Sequence, residues 1–164
     1  MLAGMTEHAG EDRVVSDAPG TAGTSPDRTG GTDGSGVSTV DGADGIEVVD
    51  HPVDGGHGRF ELRERGEVIG IASYAVVAGD ASDGADRVVF FHTEVRPDHE
   101  GQGLAARLAS TALDATVASG RSIVALCPYV KAYLGRHPEP YAGHVLAPTP
   151  ADLEAADRAS RVAG

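Results

Sequence analysis

Two glycines occupy alternate positions in residues 100–105, which read EGQGLA and lie between a β-rich stretch and a helical pattern. Gly101 and Gly103 permit positive φ angles and let a ligand approach the backbone closely. The first turn of a helix also offers unpaired N–H groups and the positive end of the helix dipole, which together bind phosphate. The pattern therefore predicts either a phosphate or pyrophosphate site made from backbone donors, or a tight turn that binds nothing.

Two familiar nucleotide-binding motifs do not fit this turn. A P-loop has the pattern Gly-x-x-x-x-Gly-Lys-Ser/Thr, and no lysine follows the glycines here. A dinucleotide-binding fingerprint has a third small residue and an acid about 20 residues further on. Ala106 would supply the small residue, but the next predicted strand ends in Cys127 and not in an acid. Both motifs are therefore excluded.

The elements that must position the turn follow from hydrophobic periodicity. Leu104, Leu108 and Ala112 have helical spacing, which predicts a helix over about residues 103–119. A short buried strand at 122–126 follows, and strand, helix and strand in this order imply a right-handed crossover between parallel strands. The other strands are predicted at 46–49, 57–64, 68–77 (central) and 87–95, and further helices at 129–136 and 152–162.

Residues 1–45 differ from the rest of the chain. They hold ten of the 23 glycines, and two arginines stand against eight acidic residues. Such a segment buries too little apolar surface to offset an ordering cost of roughly 1–2 kcal/mol per residue. We predict a disordered, acidic, Gly-rich tail here.

The wider sequence resembles a known superfamily. Val95-Arg96-Pro97, followed by Gly101-x-Gly103-Leu104-Ala105 on a helix, is similar to the acetyl-CoA pyrophosphate loop of GNAT N-acetyltransferases. That loop usually reads Gln/Arg-x-x-Gly-x-Gly/Ala, and Asp98 stands at its first position here. A more specific resemblance, to the minimal GNAT family of small acetyltransferases, covers about residues 57–142 and rests on His92-Thr93-Glu94-Val95, Cys127-Pro128-Tyr129-Val130, Tyr133-Leu134 and His137-Pro138.

The resemblance implies a GNAT-like α/β fold of the α+β type, with a mixed, mostly antiparallel sheet and flanking helices. We expect this domain over residues 46–148, with a C-terminal helix or frayed tail over 149–164. The implied reaction transfers an acetyl group from acetyl-CoA, as cosubstrate, to a primary amine of a small molecule or protein. The residues implied to bind acetyl-CoA are Val95, Gly101, Gln102, Gly103, Leu104 and Ala105.

Four residues are candidates for the chemistry. Alternation along the strand predicts His92 and Glu94 on one face, opposite Phe91, Thr93 and Val95. His92 is a candidate base, and Glu94 is a second base, a partner of His92, or a plain surface carboxylate. A cysteine at the position of Cys127 is suspected of catalysis in the family, so its thiol is a nucleophile, a proton donor or a packing group. Tyr129, and after it Tyr133, is a candidate acid for the leaving thiolate or an aromatic packing residue.

Composition excludes several other functions. The formal net charge of −12 over 164 residues argues against nucleic acid and anionic membranes as partners. No apolar run is long enough to cross a bilayer, and no secretory signal is visible, so we expect a cytoplasmic protein. One cysteine excludes an internal disulfide, and the seven histidines lack the spacing of a metal site.

The sequence therefore predicts a small acetyl-CoA-dependent N-acetyltransferase. Its acidic surface is a weak indication that basic amines, such as lysine or a polyamine, are attracted. The alternative is a non-catalytic acyl-CoA sensor or interaction module with the same fold, which Asp98 in the loop would favour.

Overall fold

A computed structural model describes residues 40–41, 44–80 and 84–163, all within the second of two units, 1–34 and 35–164. The strands are β1 Val40–Asp41, β2 Ile46–Val53, β3 His57–Glu64, β4 Glu67–Val77, β5 Arg87–Val95, β6 Ser122–Ala125 and β7 Val145–Leu146. The helices are α1 Leu104–Ala118, α2 Pro128–Arg136 and α3 Pro150–Val162, with one 3₁₀ turn at Pro97–His99.

The described strands form one sheet in which their spatial order equals their order along the chain. β1 to β5 pair antiparallel, whereas β5–β6 and β6–β7 pair parallel. The predicted mixed, mostly antiparallel sheet is therefore confirmed, as is the α1 crossover between parallel strands. β4 lies between β3 and β5, so the prediction that this apolar strand is central is also confirmed.

Two strand predictions at the beginning of the chain differ from the structure. The strand predicted at 46–49 extends to Val53, because it pairs with β3 along its whole length from Ile46↔Glu64 to Val53↔His57. The predicted tail, residues 1–45, lies outside the described residues except for 40, 41, 44 and 45. Residues 40 and 41 of that segment form β1, which pairs with β2. A strand of two residues is too short to show an alternating pattern in the sequence.

Helices cover both faces of the sheet. On one face, α1 and α2 enclose the main core, and Leu104, Leu108 and Ala112 point into it as the helical spacing predicted. On the other face, α3 packs Ala156 and Ala159 against Val89 and its neighbours. The C-terminal segment is therefore a packed helix. It begins at Pro150 and not at 152, because Thr149 caps it together with Asp152.

A β-bulge in β5 changes the predicted arrangement of its side chains. Tyr74 pairs with Phe90, and Ser73 pairs with His92, so the register skips Phe91. Phe91 packs into the cluster under α3, whereas Val95 packs against the main core. The prediction that Phe91 shares a face with Thr93 and Val95 is therefore wrong, because simple alternation does not hold across an extra residue.

Gly58 on β3 offers a test of this packing. A methyl group there would lie 2.5 Å from Tyr74 Oη and 2.8 Å from the His51 carbonyl oxygen. Tyr74 cannot move freely, since its hydroxyl donates a 2.8 Å hydrogen bond to Asp50. We expect Gly58→Ala to lower the free energy of unfolding by about 1–3 kcal/mol, measured by denaturant titration.

Gly135→Ala is the matched control. Gly135 lies in α2, and a methyl group there would meet nothing within 4 Å. It should stabilise the protein by about 0.5–1 kcal/mol, because alanine is the better helix former. Equal stability of the two variants would contradict the packing described for Gly58.

Candidate active site

β5 and β6 separate in the middle of the sheet. Their pairing ends at Phe90↔Ala125, and the N–H groups of Leu126 and Cys127 both donate to the Phe90 carbonyl at 2.9 Å. Beyond this point β5 continues to Val95, while the segment after β6 turns into α2. Among the described residues no strand pairs with this edge of β5 after Phe90, so a gap opens between the two elements.

Backbone donors face this gap. The Arg96 N–H donates to the Ile69 carbonyl at 2.8 Å, toward β4. Successive N–H groups of a strand point in opposite directions, so those of Val95 and Thr93 point toward the gap. They are positioned to bind a carbonyl oxygen of a ligand lying between β5 and α2.

The glycine turn lies at one end of the gap. Gly101 and Gly103 have φ angles of 78° and 73°, and Gly103 is the N-cap of α1. A Cβ atom at either position would meet nothing within 4 Å, and the first turn of α1 has no acidic side chain. A cavity of about 280 Å³ lies over the turn, lined by Val95, His99, Glu100, Gly101, Gly103, Leu104, Ala105, Ala106 and Tyr129. The open backbone and the helix terminus fit a diphosphate group.

The cavity includes a titratable residue, His99, that the sequence analysis did not single out. The His99 side chain is 16% exposed, and its ring nitrogens lie 3.0 Å from Asp98 and 3.3 Å from Glu64. The close contact with the Asp98 carboxylate, then the hydrogen bond with Glu64, raises the pKa of His99 above its usual value. The raised pKa favours the cationic form of this ring beside the helix N-terminus. The position of His99, two residues before Gly101, is a sequence signal that could have indicated it.

Asp98 lies close to two basic side chains, Arg96 and His99. It lies 3.3 Å from Arg96, which also pairs with Glu67. The close contact with the His99 ring holds the pKa of Asp98 below its usual range, and the charge of Arg96 lowers it further. The carboxylate at the first position of the loop is thus paired with cations.

The candidate catalytic residues fall on two sides of β5. His92 Nε2 lies 3.3 Å from Glu94 Oε2, and the side chains are 52% and 67% exposed. Cys127 is buried, and its Sγ lies 3.5 Å from Thr93 Oγ1. Because Thr93 alternates with His92 and Glu94, the thiol lies on the face opposite the imidazole.

The two tyrosines also separate. Tyr129 is half-buried in the first turn of α2 and lines the cavity with the glycine turn. Tyr133 is buried in the core, with its ring centroid 4.5 Å from that of His137. The structure thus brings together around one cavity Tyr129, Val95, Gly101, Gly103, Leu104 and Ala105, and places Gln102 in the exposed turn between the two glycines. His92 and Glu94 do not line this cavity and lie together on the other face of β5.

Within the described ranges, no group of three His, Cys, Asp or Glu side chains is arranged to hold a metal ion. No helix in that part of the chain is both long and apolar enough to span a membrane.

These features agree with a match to a known family. The family model described as GCN5-related N-acetyltransferase matches residues 59–144, just over half of the chain. The match contains β5, the glycine turn, α1, β6 and α2. The chain belongs to the GCN5-related N-acetyltransferase family.

Solved structures of acetyltransferases are similar to the chain at low identity. A ribosomal-protein-alanine N-acetyltransferase from Brucella melitensis biovar Abortus is 20% identical, with 54% of this chain and 63% of that chain covered and a TM-score of 0.44. An aminoglycoside acetyltransferase from an uncultured soil metagenomic sample, solved with sisomicin, is 11% identical, with 53% and 57% covered and a TM-score of 0.42. The chain thus spans less than two thirds of either. No curated protein matches the sequence.

Gly103 and Gly120 form a matched pair for testing the cavity. Both have a φ angle of 73° and open space at the Cβ position, but only Gly103 lines the cavity. Alanine at either position should cost about 1–2 kcal/mol of stability from backbone strain. We expect only Gly103→Ala to weaken acetyl-CoA binding, by about tenfold or more, measured by isothermal titration calorimetry. Equal affinity of both variants would contradict a diphosphate site at this turn.

The His99 cluster predicts a pH-dependent stability. A raised folded-state pKa adds stability that is fully present below the ordinary histidine value of 6.5 and is lost as the pH rises through the raised value. We therefore expect His99→Gln to destabilise the protein more at about pH 5.5 than at about pH 8.5 in urea unfolding. His57→Gln is the control, since His57 has no ion pair in the described part of the chain. An equal loss at both pH values would refute the pairing.

Proposed function

We propose that the protein transfers an acetyl group from acetyl-CoA to a primary amine. One observation carries the proposal: the glycine turn, the α1 N-terminus and Tyr129 share one cavity with Val95, a residue of β5 beyond the point where its pairing with β6 ends. When bound, acetyl-CoA supplies an acetyl thioester. The reduced cytoplasm, where a free thiol such as Cys127 persists, is the expected location.

The cofactor-binding part of the proposal rests on backbone groups. N–H groups of residues 103–105 hold the diphosphate at the start of α1, with His99 adding charge. Leu104, Ala105 and Val95 form the apolar wall beside it. These groups bind an anion although the chain is acidic, because their donors are peptide dipoles and one local cation.

The transfer step uses β5 as a partition. N–H groups of Thr93 and Val95 polarise the thioester carbonyl in the gap, while the acceptor amine reaches the carbonyl carbon from the His92 side. His92 takes the amine proton directly or through one water, and the Glu94 carboxylate beside it stabilises the resulting imidazolium. The new bond is C–N, and the bond that breaks is the thioester C–S bond.

The leaving thiolate needs a proton donor on the cavity side. Tyr129 is the residue we assign to this task, since it is half-buried and lines the cavity with Val95. Cys127 is buried beside Thr93 at the bottom of the gap, so we assign it a packing role there. This assignment favours direct transfer to the amine over an acetylated cysteine.

Three variants test these roles. We expect His92→Gln and Tyr129→Phe each to lower kcat on the order of 100-fold or more, as removal of a general base or acid does. Cys127→Ala should keep kcat within a few-fold of the wild type. The measurement is thiol release from acetyl-CoA with a panel of amines, alongside acetyl-CoA affinity, which should stay unchanged in His92→Gln.

The outcomes separate the alternatives. Loss of turnover in Cys127→Ala, with an acetylated cysteine found by mass spectrometry, would replace direct transfer by a covalent route. A wild-type protein that binds acetyl-CoA but acetylates no amine in the panel would be a sensor and not an enzyme.

A further inference from the structure

A buried carboxylate organises the exposed face of β3. Glu61 is only 3% exposed, and two arginines and one histidine surround it. Arg59 Nε donates to Glu61 Oε1 at 2.7 Å, and Arg63 donates to Oε2 through Nε at 2.9 Å and Nη2 at 2.6 Å. His51 Nε2 lies 3.2 Å from Oε2.

Glu61 holds its charge in this place. Burial raises the pKa of the Glu61 carboxyl, but the hydrogen bonds from Arg63 and Arg59 outweigh it, so the pKa lies below its usual range. One carboxylate thus faces two guanidinium groups, which leaves the cluster with an excess positive charge. The carboxylate also fixes both arginines through their Nε atoms and so limits their movement.

The outer edge of Arg59 remains free for a ligand. Its side chain is 53% exposed, and within residues 44–80 and 84–163 its Nη groups have no protein partner. An arginine held through Nε presents the two Nη donors as a fork, which suits the planar oxygens of a carboxylate or the oxygens of a phosphate.

The cluster lies on the same face of the sheet as His92. Cross-strand pairs run His51↔Arg59, Arg59↔Ser73 and Ser73↔His92, so these residues form one row across four strands. Directly paired residues share a face, and neighbouring strands are about 4.8 Å apart. The backbones of Arg59 and His92, two strands apart, are therefore separated by roughly 10 Å.

Between the two ends of this row Ser73 is only 6% exposed, so the space beside Arg59 is a cavity and not an open face. α3 covers the neighbouring part of the sheet and ends at Val162, where a cavity of about 120 Å³ lies among Arg59, Ser73, Phe91 and the end of the helix. A ligand lying along the row would have its amine at His92 and Glu94 and its other end at Arg59. The row thus has an acidic end at Glu94 and a basic end at Arg59, at a separation that a small molecule can bridge.

We propose that the acceptor is a small amine that carries an anionic group, a carboxylate or a phosphate, which docks on Arg59 while the amine is presented to His92. This inference rests on the proposed acetyl transfer and specifies its substrate class. It replaces the expectation, drawn from the net charge, that basic amines are preferred. Glu94 attracts the ammonium group of the acceptor, and Arg59, which Glu61 holds in place, binds its carboxylate or phosphate.

The test compares acceptors that differ only in the anion. The pairs are β-alanine with its amide and phosphoethanolamine with ethanolamine, with spermidine as a basic amine, and the readout is kcat/KM from thiol release. We expect the anionic member of at least one pair to be favoured about tenfold or more, the value of one charge-assisted contact. The pair that shows the preference identifies the anion as carboxylate or phosphate.

Variants of Arg59 then locate the effect. Arg59→Gln should raise KM for the anionic acceptor about tenfold, leave kcat nearly unchanged and abolish the preference, whereas Arg59→Lys should retain part of it. Titration of the acceptor into the CoA complex should show the same loss of affinity without turnover. Arg161→Gln is the control, since among the residues that the structure describes Arg161 pairs only with Asp157, also on α3.

Each other result overturns the inference. Equal use of anionic and neutral acceptors, a preference for spermidine, or a preference that survives in Arg59→Gln would overturn the docking role and leave acetyl transfer standing. A protein that binds no acetyl-CoA and acetylates none of these amines would overturn the proposed function together with this inference.

Discussion

The separation of β5 from β6 after Phe90 is the constraint on which the rest of the site depends. The Phe90 carbonyl accepts from the N–H groups of Leu126 and Cys127, the last hydrogen bonds between β5 and the segment that follows β6. Beyond it, the edge of β5 has backbone donors that no described strand satisfies. Unpaired peptide groups away from water are costly, so a gap of this kind persists where a ligand or solvent completes the bonds. The bulge at Phe91 stands at the same point, where it ends simple alternation and turns the following residues.

β5 divides the site into two chemical environments. Thr93 and Val95 face Cys127, Tyr129 and the glycine turn, a region of backbone donors and apolar walls. His92 and Glu94 lie on the opposite face of the sheet, which also carries the arginines held by Glu61. A group-transfer reaction needs its donor and acceptor to meet at one atom while each is bound by different chemistry, and a strand with one free edge meets that need.

Local side chains, and not the net charge, set the electrostatics around the glycine turn and on the face that carries His92. The chain carries −12, yet the pKa of His99 in the cavity over the glycine turn is raised, and the sheet face that carries His92 also presents Arg59. Solvent and salt screen distant surface charges, whereas partly buried pairs at 3 Å keep most of their interaction. An argument from composition therefore pointed to basic acceptors, and the placement of a few side chains points to anionic ones.

Sequence by itself determined the order of strands β2 to β6 and of the three helices, the parallel crossover and the glycine turn, because hydrophobic period and glycine spacing are local properties of the chain. The two-residue strands β1 and β7 are too short to leave such a pattern. Only the tertiary structure decided that β2 extends to Val53, that Phe91 is a bulge, and that His99 lines the cavity. It also decided that Arg59 lies in one row with His92, although 32 residues separate them in the chain. Register and pairing between distant strands set these relations, and no local pattern records which residue will stand opposite which.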